Sequence, residues 1–345
     1  MRAASPTLAK QLWFIQPHQV EVREQMLPMP AHGELLVQTL CSAISAGTEM
    51  LVYRGHIPAH MALDASIDGM QEQATYPLQY GYACVGRVLQ VGADVDSWWL
   101  GKVVFSFQPH ASHFIAARDA VIPLPDGIAP EAAVFLPNME TAINLVQDGN
   151  PQLGERVVVL GQGVVGLLLA HLLAQFPLQQ LSAVDGVLAR CERALQLGVH
   201  QVFDPVSDIG ILKSQLAACN GADLIYEVSG APEALNLAID LSGFASRIVI
   251  GSWYGNKSAT VALGGNAHRN RLQIITSQVS TIAPQLSGRW DKERRYELGW
   301  KTLHELQPQK LITHRVPLSD AVAIYKLLHE MPADVLQAVF TYKHD

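Results

Sequence analysis

The chain has 345 residues, of which 49% are hydrophobic and 16% are charged, so we expect about two folded domains with a substantial core rather than a disordered chain. Its formal net charge of −7 argues against non-specific binding to nucleic acid or anionic lipid, because both need a basic surface, although a local basic patch is compatible with it. We therefore expect a small-molecule substrate as the partner, with no nucleic acid and no membrane.

The N-terminal sequence and the cysteines both predict a cytoplasmic protein. The first residues, "MRAASPTLAKQLWF", contain no apolar stretch of the kind found in a signal peptide. The four cysteines are widely spaced and form no CxxC pair, which argues against a thiolate zinc site or a redox motif. We expect reduced thiols that are buried as small hydrophobic side chains, namely Cys41, Cys84, Cys191 and Cys219.

Residues 1–125 have the pattern of the first part of a β-rich domain. Short apolar runs such as "ELLVQTL", "GRVLQV" and "GKVVFSF" are bounded by Gly, Pro and Asp, as strands usually are. Between them, "GHIPAHMALDASIDGMQEQATYP" has little strand pattern. A segment of this length inside a compact domain is often a lid or a binding loop.

Residues 126–288 alternate between strand and helix patterns. The strands "RVVVLG", "LSAVD", "ADLIYEVSG" and "RIVIGSW" are separated by helical stretches, which is typical of an α/β fold with a parallel sheet covered by helices on both faces. The apolar stretch 157–174 contains three glycines, a glutamine and a histidine, so we expect a buried strand, turn and helix rather than a membrane span. Residues 289–345 begin as a polar helix and end in "LQAVFTY", a strand that we expect to return to the first domain.

A glycine motif directly follows the strand "VVVL" and directly precedes a helix. The glycines of this motif would allow a tight turn, a close approach of the backbone to a pyrophosphate, and packing of the helix on the strand. The N–H groups and the positive dipole end of the helix favour phosphate. We predict a dinucleotide site along Gly161, Gln162, Gly163, Val164, Val165 and Gly166.

The end of the next strand indicates which dinucleotide binds. Asp185, followed by Gly186, stands where a carboxylate accepts hydrogen bonds from ribose hydroxyls and repels a 2′-phosphate, so we expect NAD(H) rather than NADP(H). Arg190 and Arg193 on the following helix are the argument for NADP(H), because either could reach a phosphate. The alternative is that both lie on a solvated helix face.

In five segments the chain resembles the medium-chain dehydrogenase/reductase superfamily, the relatives of zinc alcohol dehydrogenases. These are "SAISAGTEMLVYRG", "YGYACVGRVLQVGADV", the glycine motif, "GADLIYEVSGAPEALNLAI", and "RIVIGSWYG" with "HRNRLQIITSQVS". The resemblance covers nearly the whole chain. It implies a Rossmann doubly wound parallel sheet plus a GroES-like β-rich catalytic domain, with the active site in the cleft between them. It also implies hydride transfer to or from a nicotinamide and, by analogy with relatives that pair through Rossmann edge strands, a homodimer.

The same resemblance implies the loss of a catalytic zinc site. Zinc-containing members have "GHE" where this chain has "GYA" at 81–83, and a cysteine where it has Ala46. The third ligand position falls at 136–138, which offers no strong ligand unless it shifts to Glu140. A catalytic zinc needs about three N, S or O donors in one small volume, so we expect no zinc. The pair His110 and His113 in "HASH" lacks a third partner nearby in sequence, and we expect it to be structural.

If no metal is bound, other groups must stabilise or protonate the oxygen that gains negative charge during hydride transfer. These groups are hydroxyls or other side-chain donors. Thr48 matches the hydroxyl of the family's proton relay, and Tyr82 takes the place of the lost histidine, where its phenol is protonated at neutral pH. The alternatives are that Tyr82 fills the volume of the metal site and that Thr48 caps the backbone. Glu140 is the third candidate catalytic residue. Glu49 matches a family acid that lies behind the metal ligands, so we expect it to be structural.

The remaining candidates are contacts to the substrate and to the nicotinamide. Asn138 in "LPNMETA", Tyr53 and Arg54 in "LVYRG", and Trp253 are candidate substrate residues. The alternative for Tyr53 and Arg54 is a solvated loop, and for Trp253 the core. The loops after two later Rossmann strands are expected to contact the cofactor through Gly230, Gly251, Ser252 and Trp253.

Three functions are compatible with these patterns. The first is a zinc-independent oxidoreductase that transfers a hydride between NAD(H) and an alcohol/ketone pair. The "SAGTE…YRG" and "GYxxVG" elements resemble the bacteriochlorophyllide hydroxyethyl dehydrogenase branch, and a sugar or cyclitol substrate is an equal alternative. The second is an NADPH-dependent enoyl or quinone reductase. The third is a non-catalytic nucleotide-binding protein.

Overall fold

A computed structural model describes residues 6–58 and 75–343, so most of the predicted loop "GHIPAHMALDASIDGMQEQATYP" lies outside the described residues. The chain divides into two compact units. Unit 1 comprises Met1–Pro137 with Trp300–Asp345, and unit 2 comprises Asn138–Gly299. The boundary predicted at 125 lies N-terminal to the first division, after Pro137, and the boundary predicted at 288 lies N-terminal to the second, after Gly299. Each division falls inside a helix that the sequence pattern assigned to one domain.

Fifteen strands are present among the described residues. In chain order they are β1 (Thr7–Gln16), β2 (Gln19–Leu27), β3 (Glu34–Ala43), β4 (Cys84–Val91), β5 (Val103–Ser106), β6 (His113–Ala117), β7 (Val121–Pro123), β8 (Arg156–Leu160), β9 (Gln180–Val184), β10 (Gln201–Phe203), β11 (Ala222–Glu227), β12 (Ser242–Ile250), β13 (Gln273–Thr276), β14 (Ile312–Pro317) and β15 (Gln337–Thr341).

Nine α-helices are present in the same part of the chain. They are α1 (Thr48–Arg54), α2 (Pro130–Ala133), α3 (Leu136–Gly149), α4 (Val164–Leu173), α5 (Leu188–Gln196), α6 (Ile209–Ala217), α7 (Ala234–Leu241), α8 (Lys292–Leu306) and α9 (Ala321–Glu330). Within the described residues no helix is both long and apolar enough to cross a membrane.

Unit 1 is built on a seven-stranded sheet in the order β14-β15-β3-β4-β5-β7, with β6 paired to β3, and on the separate hairpin β1-β2. The last strand pairs antiparallel with the third, so that Phe340 lies opposite Ser42. Aromatic rings fill the adjoining core, where Phe14 and Tyr325 meet edge to face with ring centroids 5.3 Å apart. Helices α1 and α9 close this core, which fixes the position of the segment that carries Thr48.

Unit 2 is a six-stranded parallel sheet in the order β10-β9-β8-β11-β12-β13. The chain runs outward from β8 on one side and then crosses to β11 on the other, which confirms the α/β class and the doubly wound sheet. In such a sheet a ligand binds beyond the carboxyl ends of the strands, at the point where the order reverses. The pairing registers bring the strand-terminal residues Leu160, Glu227 and Ile250 together at that edge.

Candidate active site

The glycine turn between β8 and α4 has the conformation that a pyrophosphate needs. Gly161 has φ of 98°, and a Cβ on it would lie 2.6 Å from the Ser229 Cα. A Cβ on Gly166 would lie 2.0 Å from the Gly161 carbonyl oxygen, whereas one on Gly163 would meet nothing within 4 Å. The first and third glycines are therefore required by close packing, and the second leaves the backbone open to a ligand.

The start of α4 offers the polar groups that match phosphate. The N-cap residue Gly163 makes no side-chain hydrogen bond to the helix, so the first turn is not capped by its own side chains. The backbone N–H groups of the first turn of α4 have no acceptor within the helix and lie at the positive end of the helix dipole. This turn therefore fits the diphosphate of a dinucleotide, as the motif predicts.

Asp185 lies directly beside this turn. One of its carboxylate oxygens accepts a hydrogen bond of 2.6 Å from the Gln162 backbone N–H, and the other accepts one of 2.8 Å from the Val187 N–H. Because each carboxylate oxygen can accept more than one hydrogen bond, the half-buried group can still receive ribose hydroxyls. Arg190, on the first turn of α5, is half-buried rather than fully solvated.

The loops after β11 and β12 are joined by a buried carboxylate. Glu227 is 0% exposed, and it accepts hydrogen bonds from the Ser229 N–H at 2.8 Å and from the Tyr254 hydroxyl at 2.5 Å. Burial, with Glu227 as a further cause, raises the pKa of Tyr254 well above its ordinary value. The Tyr254 phenol is therefore a donor at any ordinary pH, and the two loops are held as one surface.

The predicted nicotinamide contacts lie on these two loops. The Gly230 N–H donates to the Ser252 hydroxyl at 2.9 Å, and Trp253 is half-buried, so it is not a core residue. A Cβ on Gly251 would lie 2.7 Å from a methyl of Leu145, because the loop packs directly on α3. Glu227 and Tyr254 are not among the predicted site residues, although "YEVSG" places an acid at the end of an otherwise apolar strand.

Glu140 lies in a buried ion-pair cluster of unit 2. It is 3% exposed, and its carboxylate is 3.4 Å from the Arg295 guanidinium and 3.5 Å from the Lys292 ammonium. Burial raises the pKa of Glu140, against the lowering effects of Lys292 and Arg295. Arg295 is 0% exposed and also donates to Asn144 at 2.9 Å. These contacts give Glu140 a structural place, so its catalytic role stays a prediction, as does the substrate role of the half-buried Asn138.

The structure brings Thr48 and Tyr82 together and adds a third hydroxyl. The Tyr82 hydroxyl donates to Ser45 Oγ at 2.6 Å and lies 3.3 Å from Thr48 Oγ1. All three side chains are half-buried, so the group, called here the hydroxyl cluster, lies at the surface of unit 1. The sequence predicts two of its members, Thr48 and Tyr82, but not Ser45, although the tract "SAGTE" contains it.

Behind the hydroxyl cluster lies a buried hydrogen-bonded chain, called here the Glu49 network. The Glu49 carboxylate, 0% exposed, accepts from His110 Nε2 at 3.0 Å and from the Tyr325 hydroxyl at closer range. The other ring nitrogen of His110 is 2.7 Å from Ser42 Oγ, which in turn is 2.6 Å from the Tyr342 hydroxyl. With a neutral ring, every group is satisfied if Tyr342 donates to Ser42 and Ser42 donates to His110.

Tyr53 and Arg54 do not lie in a solvated loop, which was the alternative to a substrate role: Tyr53 is buried and Arg54 is half-buried. Tyr53 is 6% exposed and stacks on Tyr325 with ring centroids 5.5 Å apart, because α1 packs against α9. Arg54 Nε donates to His329 Nδ1 at 3.1 Å. Tyr53 is thereby packed in the core of unit 1, and the substrate roles of Tyr53 and Arg54 stay predictions.

The described residues offer no cluster of side chains of the kind that binds zinc. Among residues 6–58 and 75–343, no group of three or more His, Cys, Asp or Glu side chains is arranged to hold a metal. Ala46 and Tyr82 supply a methyl group and a phenol where the resemblance places a thiolate and an imidazole. His110, the first histidine of "HASH", is engaged by Glu49 and Ser42 through hydrogen bonds within the core.

Comparison with known proteins was made for sequence and for structure. Residues 164–292 match the family model described as "Zinc-binding dehydrogenase". D-guloside 3-dehydrogenase of Escherichia coli K12 is 25% identical over 287 residues, which cover 79% of this chain and 81% of that protein.

Two solved structures illustrate the shared fold. An alcohol dehydrogenase from E. coli CFT073 in complex with NADH matches with a TM-score of 0.78 and 19% identity, over 97% of this chain and 99% of that one. The 2R,3R-butanediol dehydrogenase of Bacillus subtilis matches with a TM-score of 0.77 and 18% identity, over 96% and 99%.

The doubly wound sheet, the open glycine turn and Asp185 together define a dinucleotide-binding dehydrogenase fold, and the whole-chain structural matches extend the agreement to the GroES-like unit. The family match, the relative and the structural matches support the resemblance to the medium-chain dehydrogenase/reductase superfamily of NAD(P)-dependent oxidoreductases.

Proposed function

We propose that the protein is a zinc-independent oxidoreductase that transfers a hydride between NAD(H) and a secondary alcohol or ketone. The observation that carries the proposal is the hydroxyl cluster: Tyr82 and Thr48, at the positions where the resemblance places a metal ligand and a relay hydroxyl, lie 3.3 Å apart. Phenol and alcohol groups can donate to an oxygen that gains negative charge. The similarity to a guloside dehydrogenase supports a sugar or a related polyol as the substrate class.

The chemistry divides between the cofactor and the protein. The dinucleotide, when bound, accepts or supplies the hydride of the C–H bond at the reacting carbon. The glycine turn and Asp185 would hold its diphosphate and ribose, and the loop pair joined by Glu227 would support its nicotinamide end. Tyr82 and Thr48 would orient the substrate oxygen and exchange its proton, which is general acid–base catalysis.

The preference for NAD(H) is supported by Asp185, whose two carboxylate oxygens already accept backbone N–H groups at the glycine turn. A 2′-phosphate beside this carboxylate would be repelled. Half-buried Arg190 on the adjacent helix is the observation that favours the second candidate, an NADPH-dependent enoyl or quinone reductase. Titration of the purified protein with NADH and with NADPH separates the two: tight NADH with weak NADPH supports the first candidate.

Turnover is measured with NAD⁺ against a panel of sugars, cyclitols, acyclic polyols and a hydroxyethyl-substituted chlorin ring, by the absorbance of the reduced nicotinamide. Oxidation of any of these supports the proposal, and reduction of enones or quinones alone supports the second candidate. Tight nucleotide binding without turnover on any panel member supports a non-catalytic nucleotide-binding protein.

Zinc independence is proposed from the chemistry of the residues at the ligand positions. A methyl group at Ala46 cannot ligate zinc, and a neutral phenol at Tyr82 is not among the usual zinc ligands. We expect the purified protein to contain far less than one zinc per chain and to keep its turnover after dialysis against a chelator. Stoichiometric zinc that is lost together with activity would contradict this part of the proposal.

We also propose that the protein is a cytoplasmic homodimer. All four cysteines are free thiols, three of them are buried, and only Cys219 is half-buried. Burial raises the pKa of Cys41 to about 12, so that thiol is inert.

The edge strand β13 has an exposed residue, Ile274, at 42%, and an unpaired strand edge can pair with a second copy. Light scattering tests this: Ile274→Lys is expected to give a monomer, and a monomeric wild type would refute the dimer.

A further inference from the structure

Ser45 is the hydroxyl that Tyr82 contacts most closely. The Tyr82 hydroxyl is 2.6 Å from Ser45 Oγ but 3.3 Å from Thr48 Oγ1. A phenol has one proton to donate, and the shorter contact is the one with the length of an O–H···O hydrogen bond. The partner of Tyr82 in this structure is therefore Ser45 rather than Thr48.

The hydrogen bonds around Ser45 Oγ decide where its own proton can point. The oxygen accepts from the Tyr82 hydroxyl at 2.6 Å and from the Thr48 backbone N–H at 3.3 Å. A hydroxyl oxygen has two acceptor lone pairs, and both are used by these contacts. The Ser45 proton therefore points toward a third group, and among the described residues the side chain is only half-buried.

The backbone of Ser45 is fixed by Glu49. The Ser45 N–H donates to Glu49 Oε1 at 2.7 Å, and the Glu49 N–H donates back to the Ser45 carbonyl at 3.0 Å. Such reciprocal bonding resembles a capping box at the start of a helix, which would be a sufficient structural explanation if Glu49 were at the surface. Instead, its carboxylate is 0% exposed, and its second oxygen is held by His110 and Tyr325.

A buried carboxylate is costly unless donors compensate its charge, and here three donors converge on Glu49. Burial and the Glu49 charge raise the pKa of Tyr325 well above its ordinary value, so that phenol remains a donor. The result is a rigid support directly beneath the segment that carries Ser45 and Thr48. The helix start alone does not require this rigidity.

We propose that Ser45 is a further catalytic residue, which donates a hydrogen bond to the substrate oxygen, and that Glu49 is a positioning residue that fixes Ser45 for this role. This inference rests on the proposed alcohol/ketone oxidoreduction. In the reductive direction, the carbonyl π bond breaks as the carbon takes up the hydride and the oxygen takes the proton of Ser45. Tyr82 then returns a proton to Ser45 across the 2.6 Å hydrogen bond, and water reprotonates Tyr82. In the oxidative direction each proton moves the opposite way.

The test compares steady-state kinetics of Ser45→Ala, Ser45→Cys and Ser45→Thr with the wild type. General acid–base groups contribute about 10²–10⁴-fold, and since Tyr82 remains, we expect Ser45→Ala to lower kcat toward the lower end of that range. KM should change much less than kcat, because an interaction made mainly in the transition state is lost. Ser45→Cys keeps the size of the side chain with a weak S–H donor and should resemble alanine, whereas Ser45→Thr restores the hydroxyl and most of kcat.

Ser112→Ala is the matched control. Ser112 is also a half-buried serine of unit 1 and accepts a hydrogen bond from the Lys10 N–H at 2.9 Å, but it is not part of the hydroxyl cluster, so its kcat should stay at the wild-type level. Glu49→Gln should lower kcat while NADH affinity is unchanged, because the dinucleotide contacts lie in unit 2.

Each outcome has one meaning. An active wild type with full kcat in Ser45→Ala and Ser45→Cys overturns the inference and leaves the proposed function intact. An active wild type with reduced kcat in both, restored in Ser45→Thr, supports it. If Ser45→Ala does not fold, the comparison of cysteine with threonine decides alone. No turnover of the wild type on any alcohol or ketone overturns the proposed function, and the inference with it.

Discussion

Replacement of His110 by alanine is the sharpest test of the Glu49 network. Both partners of the His110–Glu49 contact are 0% exposed, with 3.0 Å between Nε2 and Oε2. Removing a donor from a buried acceptor costs about 1–3 kcal/mol, because the acceptor is left without its hydrogen bond. The loss also leaves Ser42 without its acceptor, and it opens space beside Gly81, where an added Cβ would lie 3.0 Å from the His110 ring. We therefore expect His110→Ala to destabilise unit 1 by about 1–3 kcal/mol.

Urea unfolding followed by tryptophan fluorescence measures this effect. Four of the six tryptophans, namely Trp13, Trp98, Trp99 and Trp300, belong to unit 1, so the signal reports mainly on that unit. This matters because two units need not unfold in one step.

His113→Ala supplies the control, since it removes the neighbouring histidine of the same "HASH" segment from a half-buried site. The double variant His110→Ala/Glu49→Gln should cost less than the sum of the single changes, because the neutral glutamine no longer leaves a buried charge. The reasoning fails if His110→Ala loses no more stability than His113→Ala, to within about 0.5 kcal/mol.

Three further predictions follow from other contacts. Tyr82→Phe and Thr48→Val should each lower kcat with little change in NADH affinity; turnover equal to wild type in both would remove them from the proton path. Tyr254→Phe removes the 2.5 Å hydrogen bond to buried Glu227 and leaves a buried acceptor unsatisfied, at a cost of about 1–3 kcal/mol. NADH binding should therefore weaken by up to about 5–150-fold, as measured by fluorescence titration; unchanged affinity would show that the loop pair does not contact the cofactor. Arg315 holds the pKa of Glu131 below its ordinary value through a hydrogen bond of 2.7 Å, so this pair stabilises the fold at neutral pH, and the contribution is lost as the pH falls through the folded-state pKa of Glu131. Arg315→Gln should therefore lower the melting temperature at pH 7 but not in acid, and an equal loss at both pH values would contradict the assignment.

The glycine turn could be predicted from sequence because its signal is local. The glycine motif, the strand before it and the helix after it are contiguous, and the third glycine has a steric reason that depends on a neighbour fixed by that order. Gly166, for example, is required because its missing Cβ would lie 2.0 Å from the Gly161 carbonyl oxygen. Asp185 could be identified from sequence for the same reason, since the length of one strand–helix–strand unit places it beside the turn.

The Glu49 network could not be predicted, because its members come together only in the folded chain. Glu49 meets His110 across 61 positions and Tyr325 across 276, and Ser42 meets Tyr342 across 300. No spacing rule connects such residues, and the histidine of "HASH" carried the sequence signature of a metal ligand. Tyr53 shows the same limit: an exposed-looking "LVYRG" tract becomes core only because α9 packs over it.

The order of the strands in unit 1 has a consequence for synthesis on the ribosome. Strand β15 occupies an interior position of the seven-stranded sheet, between β14 and β3, and Tyr325 and Tyr342 complete the Glu49 network from the same end of the chain. A nascent polypeptide that has emerged through residue 299 already contains all of unit 2. The early strands of unit 1 still lack β14 and β15, which complete their sheet. The nucleotide-binding half is thus free to fold during translation, whereas the half that carries Ser45, Thr48 and Tyr82 reaches its final form only once the last strand has been released.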